Sequence, residues 1–489
     1  MMKYLLLAVL WGVGHGVFSQ SSSDTTQLQA LSLERFLGLV YANHPVVQQA
    51  RLQPRSADAK LVEARGQFDP KLEGSYDLKR FKDTEYWNTL NAGLKFQTWF
   101  PIDPKIEFDR NQGEFLSPEQ SIPEANAFRQ LTYGVSLPVG RGLIIDERRN
   151  AMKQARIYQS IAVTEQNKML NKVLLKATKQ YFDWYRTYRQ AILLQNSVEI
   201  AEELFDRVVL DYGFGEAAVV DTVQALITYQ TRQADYEKAK FEYRLNQLMM
   251  SQHLWSEEGD PMELQDTTIP DTTLNFREMP TDGEIQQFVQ WSSTNHPEIR
   301  KLAFKLQQLE VEQQWNRESI KPQVDVSYGF IDAPFSGGGE TVAPSFSDNY
   351  KLGVDVAFPI FMRKARGKLQ QTQIKMEGTN YELADKRLEI KNGILAKYAE
   401  TQMSRRLSQQ FFLMAENYQR LLDAEFIDLE AGESNLFVLN IQQDKLIDSQ
   451  VKYLENLVKF HKNKAELYFE VGILFSEVEQ VLGLAQTGQ

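Results

Sequence analysis

Two kinds of hydrophobic periodicity divide this chain. In five places apolar and polar residues alternate. Leu72, Gly74, Tyr76 and Leu78 alternate with Glu73, Ser75 and Asp77, and Leu90, Ala92, Leu94 and Phe96 with Asn91, Gly93, Lys95 and Gln97. Leu131, Tyr133, Val135 and Leu137 interleave with Thr132, Gly134 and Ser136, and runs at 324–330 and 350–358 repeat the pattern. A period of two places the apolar members on one face of a strand and the polar ones on the other. Runs of this length suit a strand crossing a membrane, with lipid outside and water inside, and equally a soluble sandwich with one wet face. Lys105-Ile106-Glu107-Phe108 is a candidate partner for the run at Leu90.

The second periodicity is helical and much longer. From Arg141 to Asp211 there is no proline, and the only glycine is Gly142. At 1.5 Å per residue that stretch would span about 105 Å. Leu170, Ala177, Trp184, Ala191 and Val198 recur every seven residues, and Leu174, Tyr181 and Tyr188 form a second stripe, the seam of a coiled coil. A second proline-free stretch, 362–429, carries Phe411, Met414, Tyr418, Leu421 and Leu422 on one face. Both stretches break at a glycine-bearing turn, at 212–216 and 430–433, after which helix resumes over about 217–253 and 435–469. The pattern predicts two antiparallel helical hairpins, each about 100 Å tall.

The chain is also internally repeated. Asn43-His44-Pro45 recurs as Asn295-His296-Pro297, and at the same offset Phe68-Asp69-Pro70-Lys71-Leu72 aligns with Ile320-Lys321-Pro322-Gln323-Val324. Leu137-Pro138-Val139 matches Phe358-Pro359-Ile360, and Gly215-Glu216 matches Gly432-Glu433. Each half reads helix, strands, long helix, tip turn, helix. The expected division is a first repeat at 20–254, an equatorial linker at 255–283 with Pro261, Pro270 and Pro280, a second repeat at 284–475, and a tail at 476–489.

Composition narrows the function classes. The 489 residues carry a net charge of -11, which disfavours nucleic acid as a partner. The absence of cysteine excludes disulfides, thiolate catalysis, cysteine-ligated metals and a lipid-bearing N-terminal cysteine. Met1-Met2-Lys3 followed by an apolar run to Val13 reads as a signal peptide over 1–19, cleaved between Ser19 and Gln20, with a polar, disordered segment after it. Beyond it no window holds eighteen consecutive apolar residues, so no spanning helix is expected, whereas barrel strands escape such a test. One chain supplies four to six strands and a closed barrel needs about eight. Open edges are not tolerated in lipid, so a barrel must be shared among protomers. Three protomers giving four strands each would close at twelve.

These residues, in this order and duplication, resemble the TolC-like outer-membrane efflux channel family over roughly 31–474. The resemblance is carried by Leu31-Ser32-Leu33-Glu34 with Asn43-His44-Pro45 and its copy at Asn295, by Phe68-Asp69-Pro70, by Leu137-Pro138-Val139-Gly140-Arg141-Gly142, and by Tyr212-x-x-Gly215 with Asp221 six residues on. It implies an α+β membrane protein of the outer membrane of a Gram-negative bacterium, extending into the periplasm. Short transmembrane strands would form part of a shared trimeric β-barrel, continuing into coiled-coil hairpins that form a periplasmic tunnel. The implied partners are a homotrimer's other copies, a periplasmic membrane-fusion adaptor and an inner-membrane pump of the resistance-nodulation-division or ABC type. One departure is the additional strand region near 89–109, with an extracellular extension and a wider sheet as alternatives. Another is Val438, six residues after Gly432 where the family has its principal acidic ring; Glu433 and Asp444 are the available substitutes.

The candidate sites follow. Tyr212, Gly215, Glu216, Asp221, Gly432 and Glu433 would form the periplasmic tips, for gating and adaptor docking. Arg141, Arg148 and Arg149, echoed by Arg363, Lys364 and Arg366, form a membrane-proximal basic cluster. Cations oppose a helix N-terminal dipole, so lipid phosphates, or carboxylates at the membrane's inner edge, are expected to offset them against the plainer reading of a solvated basic face. Met249-Met250-x-x-His253 suggests soft-metal ligands, but helical methionine and a lone histidine are more often packing residues. The Asn-His-Pro histidines more often end a helix than bind metal. No nucleophile–base pairing, zinc spacing or phosphate loop points to an enzyme, and no cofactor is expected. One-step protein secretion by the same type of conduit, and a soluble periplasmic coiled-coil scaffold, are the alternatives.

Overall fold

The computed structural model describes residues 29–117, 121–122, 124, 128–272, 279–332 and 348–482. The signal segment at 1–19, its cleavage point, the polar residues up to 28 and the tail from 483 lie outside the described residues. The first series of elements is β1 (Gln29–Leu31), α1 (Leu33–Asn43), α2 (Pro45–Gly66), β2 (Lys71–Phe81), β3 (Thr84–Lys95), β4 (Asp103–Gln112), β5 (Arg129–Pro138), α3 (Glu147–Phe214) and α4 (Val219–Ser251). After β6 (Thr268–Pro270), which pairs in parallel with β1, come α5 (Asp282–Asn295), α6 (Pro297–Glu318), β7 (Gln323–Asp332), β8 (Tyr350–Ala357), α7 (Arg363–Glu430), α8 (Leu436–Val471) and α9 (Leu474–Val481). The two series match in length. Helices α2 and α6 have 22 residues each, and α3 and α7 have 68 each, about 100 Å of helix.

The repeated Asn-His-Pro is a helix-to-helix corner. His44 Nδ1 accepts the Val46 N–H at 3.1 Å, His296 Nδ1 accepts the Glu298 N–H at 3.2 Å, and the prolines stand at the first helical position, where no donor is missed. Each histidine thus ends one helix and caps the next. An imidazole can accept there only while that nitrogen is unprotonated.

The strands form one six-stranded sheet in the order β2-β3-β4-β5-β7-β8, antiparallel throughout. Six strands stand at the upper end of the four to six expected, and the additional region near 89–109 widens the sheet. The additional pair, β3 and β4, lies inside the sheet rather than beyond its edge, because both members pair on both sides. Successive pairings carry Leu72 to Leu94, Ile106, Tyr133, Phe330 and Tyr350 on one face. The neighbouring row runs Lys71, Lys95, Lys105, Gly134, Gly329 and Lys351 on the other. One face is therefore apolar across all six strands. On the edge strands this face is open, with Leu72 82% exposed and Val356 66%, while Phe330 of β7 is buried.

Below the sheet the helices bury several apolar clusters, one of which joins Ile285, Ile299, Ile394 and Leu467. At mid-height Phe36, Val40, Leu174, Tyr181, Trp184 and Met250 are fully buried, and the Tyr181 hydroxyl donates to the Leu31 carbonyl at 2.8 Å. Near the lower end Leu204 of α3 meets Leu422 of α7 with Leu439 and Leu446 of α8. The seam of α7 differs from the expected one. Leu422 is buried and Tyr418 packs against it, but Met414 and Leu421 are exposed, and Ala415, Phe426 and Leu429 take their place. A straight helix of 3.6 residues per turn drifts off a strict heptad, so the inward stripe shifts by one position. Among the described residues no helix is long and apolar enough to cross a membrane.

Candidate functional site

The first tip is set by Gly215. Helix α3 ends there at φ 79°, a left-handed conformation that favours glycine, and its N–H reaches back to the Tyr212 carbonyl at 3.0 Å. The Glu216 N–H bonds the Asp211 carbonyl at 2.9 Å, leaving the Glu216 side chain exposed. Asp221 sits in the first turn of α4, where its carboxylate accepts the Ala218 N–H at 3.0 Å. The geometry gives Asp221 a capping task, since Ala218 has no side-chain oxygen of its own. The second tip repeats the design. Gly432 has φ 74°, the Glu433 N–H bonds the Asp428 carbonyl at 2.8 Å, and Asn435 caps α8 through the N–H groups of Phe437 and Val438, both at 3.1 Å. Tyr212, Gly432 and Glu433 are exposed.

Sequence reasoning missed the apolar residues of the tips. Phe214 is 79% exposed, Val220 72% and Phe437 60%. Large apolar side chains held in water at the end of a long hairpin make the tips a candidate contact surface. The signal lay in Phe214 between two glycines and in the Val219-Val220 pair, which no helical seam absorbs.

Just above the tips, polar contacts tie the hairpins together. Arg232 of α4 is buried and ion-paired to Asp444 of α8, and Asn440 of α8 donates to Thr228 of α4 at 3.2 Å. Asp444, a candidate for an acidic ring, is thus taken up by Arg232. Tyr229 donates to Glu202 at 3.4 Å within the first hairpin.

At the sheet end of the long helices the two halves of the basic cluster behave differently. Arg148 reaches both Asp103 and Asp146 at 3.0 Å. Arg149 is buried, pairs with Asp146 at 3.2 Å, and donates to the carbonyls of Gly142, Leu143 and Ile144. Burial alone would raise the Asp146 carboxyl, but hydrogen bonds from Arg149 and the charge of Arg148 hold it below the usual carboxylate range. Arg141 stands 5.2 Å from the Trp315 ring. The dipole of α3 is therefore offset inside the chain, by the Asp146 cap and its neighbours. For Arg148 and Arg149 the groups that stand opposite are the chain's own carboxylates, Asp103 and Asp146. At α7 nothing comparable exists: Met362 offers no side-chain cap and the first turn holds no acid. Arg363, Lys364 and Arg366 are exposed and form no ion pair with a described residue, and Arg363 lies over Phe361 at 4.8 Å.

The histidines and methionines do not converge. Met250 is core and Met249 faces out, while His253 stacks on His44 at 5.7 Å. Burial lowers the His253 pKa to about 4, helped by His44 and Lys176. Among the described residues no group of three or more His, Cys, Asp or Glu is placed to hold a metal.

No family model and no curated protein matches the sequence. Solved structures do match the fold. The chain superposes over 90% of its length on 85% of the Campylobacter jejuni CmeC outer membrane channel, with TM-score 0.63 and 13% identity. It aligns over 94% of its length with 95% of the Neisseria gonorrhoeae MtrE outer membrane channel in its open state, at TM-score 0.61 and 13% identity. For the outer-membrane channel OprN the coverages are 90% and 89%, with TM-score 0.65 and 13% identity. At such identity the likeness is one of fold, a sheet of membrane-spanning type on long helical hairpins.

Proposed function

We propose that this chain, which has the fold of outer-membrane channels, is the exit duct of a tripartite efflux system. Three copies form a passive conduit that takes substrate from an inner-membrane pump through a periplasmic adaptor. The observation that carries this reading is the apolar face that runs across all six strands, open at Leu72 and Val356, above two hairpins about 100 Å long. A water-soluble scaffold would leave that face in solvent, whereas lipid covers it at no cost. The polar face then lines a water-filled lumen. Its lysine row is matched by Glu73, which accepts from Lys95 at 2.5 Å, and by Glu107, which accepts from Lys105 at 2.9 Å.

Mechanism follows from the ends of the hairpins. The pump supplies the energy, so the chain needs no cofactor and performs no bond chemistry. The exposed apolar tips dock the adaptor, with Tyr212, Gly215 and Glu216 on one hairpin and Gly432 and Glu433 on the other. Opening untwists the hairpins about the Arg232–Asp444 and Asn440–Thr228 contacts, and the docked adaptor biases the open state. At the top, Arg363, Lys364 and Arg366 meet the phosphates of outer-membrane lipid.

Cell fractionation tests the reading. The wild-type chain is expected in the outer-membrane fraction as an oligomer that dissociates on heating, and its deletion is expected to raise sensitivity to exported compounds. A chain that washes off the membrane as a soluble species would overturn it.

A further inference from the structure

We propose that the β3–β4 hairpin is itself membrane-spanning barrel wall, so that three copies of six strands close an eighteen-stranded barrel through β8 of one copy against β2 of the next. The inference rests on the trimeric duct reading and concerns what that barrel is made of.

Position is the first argument. The hairpin lies between β2 and β5 and carries the ladders that join them, so it cannot sit above the membrane while its neighbours span it. Phase is the second. Leu90, Leu94, Ile106 and Phe108 fall on the apolar face continuous with Leu72 and Tyr133, and Asn91 and Glu107 on the polar one. An extracellular ribbon wet on both faces has no reason to keep that phase across three ladders. Its ends are the third. At the helix end, the turn at 96–102 exposes Trp99 and Phe100, and Trp99 packs 5.5 Å from Phe68. At the far end Tyr86 stacks near Phe115 at 4.7 Å. Aromatic residues at both ends are how a spanning strand meets the two membrane interfaces.

Closure follows from the edges. Among the described residues β2 pairs only with β3 and β8 only with β7, leaving two open edges in the apolar band. A six-strand antiparallel sheet runs its first and last strands in opposite directions, so β8 of one copy meets β2 of another as a correct antiparallel pair. Such a contact is head-to-tail and closes into a ring. On the lumen side both edges are mixed in charge, with Lys71, Glu73, Asp77 and Lys79 on β2 and Lys351 and Asp355 on β8. Girth agrees as well. At about 4.8 Å per strand and a tilt of about 40°, six strands occupy roughly 38 Å of circumference, and four strands would occupy roughly 25 Å. The four long helical passes beneath, at about 9.5 Å each, also need roughly 38 Å. Eighteen strands give a wall about 36 Å across, so the exit does not narrow below the helical tube.

The cysteine-free chain allows a direct test in outer-membrane vesicles. Single cysteines are placed outward (Leu90→Cys, Phe108→Cys) and inward (Asn91→Cys, Asp109→Cys), with Val135→Cys and Ser136→Cys on β5 as the outward and inward controls. A charged, membrane-impermeant maleimide is expected to label the inward positions at least tenfold faster than the outward ones, on the hairpin as on β5. Equal labelling of Leu90→Cys and Asn91→Cys, with the β5 pair still different, would overturn the inference alone. Loss of the difference on β5 as well would overturn the duct reading with it. For closure, Val354→Cys is combined in turn with Leu72→Cys, Gly74→Cys and Tyr76→Cys. Oxidation is expected to give a covalent trimer in one register, and monomers in all three registers would overturn the eighteen-strand closure.

Discussion

Arg148, in the first turn of α3, and Asp103, at the foot of β4, meet at 3.0 Å. The contact joins the longest helix of the first half to the additional hairpin. Asp103 also accepts the Thr98 N–H at 3.0 Å and so shapes the turn that returns β3 into β4. A cation at a helix N-terminus, unfavourable on its own, is here the anchor of a strand.

Reversing that cation is expected to damage the joint. Arg148→Glu would face Asp103 and Asp146 with like charge, and the heat-dissociation temperature of the oligomer should fall measurably. Asp103→Asn should cost less, about 1 kcal/mol, because the pair is partly exposed. Pairing Asp103→Arg with Arg148→Asp should recover part of the loss, as an ion pair requires and a lipid contact does not. The Arg363, Lys364 and Arg366 triple reversal to Glu should instead lower the membrane-inserted yield, since no carboxylate in the described chain answers those cations. An unchanged yield would argue against the lipid contact.

Much of this was legible in advance because period-two and period-3.6 patterns are set by burial, which both strands and hairpins obey. The 68-residue helices and the glycine tips were visible in that way. The β4 strand was only half visible: Asp103-Pro104-Lys105 breaks the alternation, and Arg110 takes an apolar-face position. The local offset of Arg148 was visible only in part: Asp146 stands two residues before it, but Asp103 is distant in sequence and only the strand register brings it near. Likewise Asp444 read as a free acid until α4 placed Arg232 beside it.

Gly140 has no room for a side chain. A Cβ there would stand 2.1 Å from the Pro322 carbonyl oxygen, because the Val139 and Arg141 N–H groups bond Val324 and Pro322 at 2.7 and 2.8 Å on either side. Gly140→Ala is expected to break both bonds and cost about 2 kcal/mol or more, at about 1 kcal/mol per bond. Reduced recovery of oligomer at 37 °C, measured against wild type, checks it.

The tip glycines differ from Gly140. Nothing lies within 4 Å of a Cβ built on Gly215 or Gly432, and only their φ values, 79° and 74°, resist substitution. Alanine at either should cost about 1–2 kcal/mol locally and leave the oligomer intact. Drug sensitivity should nevertheless rise, and so it should for Phe214→Ser and Phe437→Ser, which keep the turn and remove the apolar contact. Normal sensitivity in all four variants would contradict a docking role for the tips.

The Arg232–Asp444 pair is asymmetric, with Arg232 buried and Asp444 largely exposed. Removing the acid strands a buried cation, whereas removing the cation leaves a carboxylate in water. Asp444→Ala should therefore loosen the hairpins more than Arg232→Met. In planar bilayers it should raise open probability several-fold, with little change from Arg232→Met. The reverse ranking would show that the pair does not hold the tips closed.

Acid should weaken the mid-height packing through its histidines. Burial holds His253, His296 and His461 near pKa 4, and lowers His44 in the same direction. In the unfolded chain the same groups titrate near 6.5, so that state takes up protons first. Stability is full above about pH 6.5 and falls from there toward about pH 4, by up to about 1.4 kcal/mol per pH unit for each histidine. His296 offers the clean test, since its Nδ1 must stay unprotonated to accept the Glu298 N–H. Asparagine caps a helix equally well and does not titrate. His296→Asn should thus lower the melting temperature slightly at pH 7.5, where it gives up packing against Gly472, and flatten its decline between pH 6.5 and 5 by roughly a third of the three-histidine effect. Melting curves of the detergent-purified oligomer at four pH values decide it: parallel declines for variant and wild type would mean that the cap does not couple to protonation.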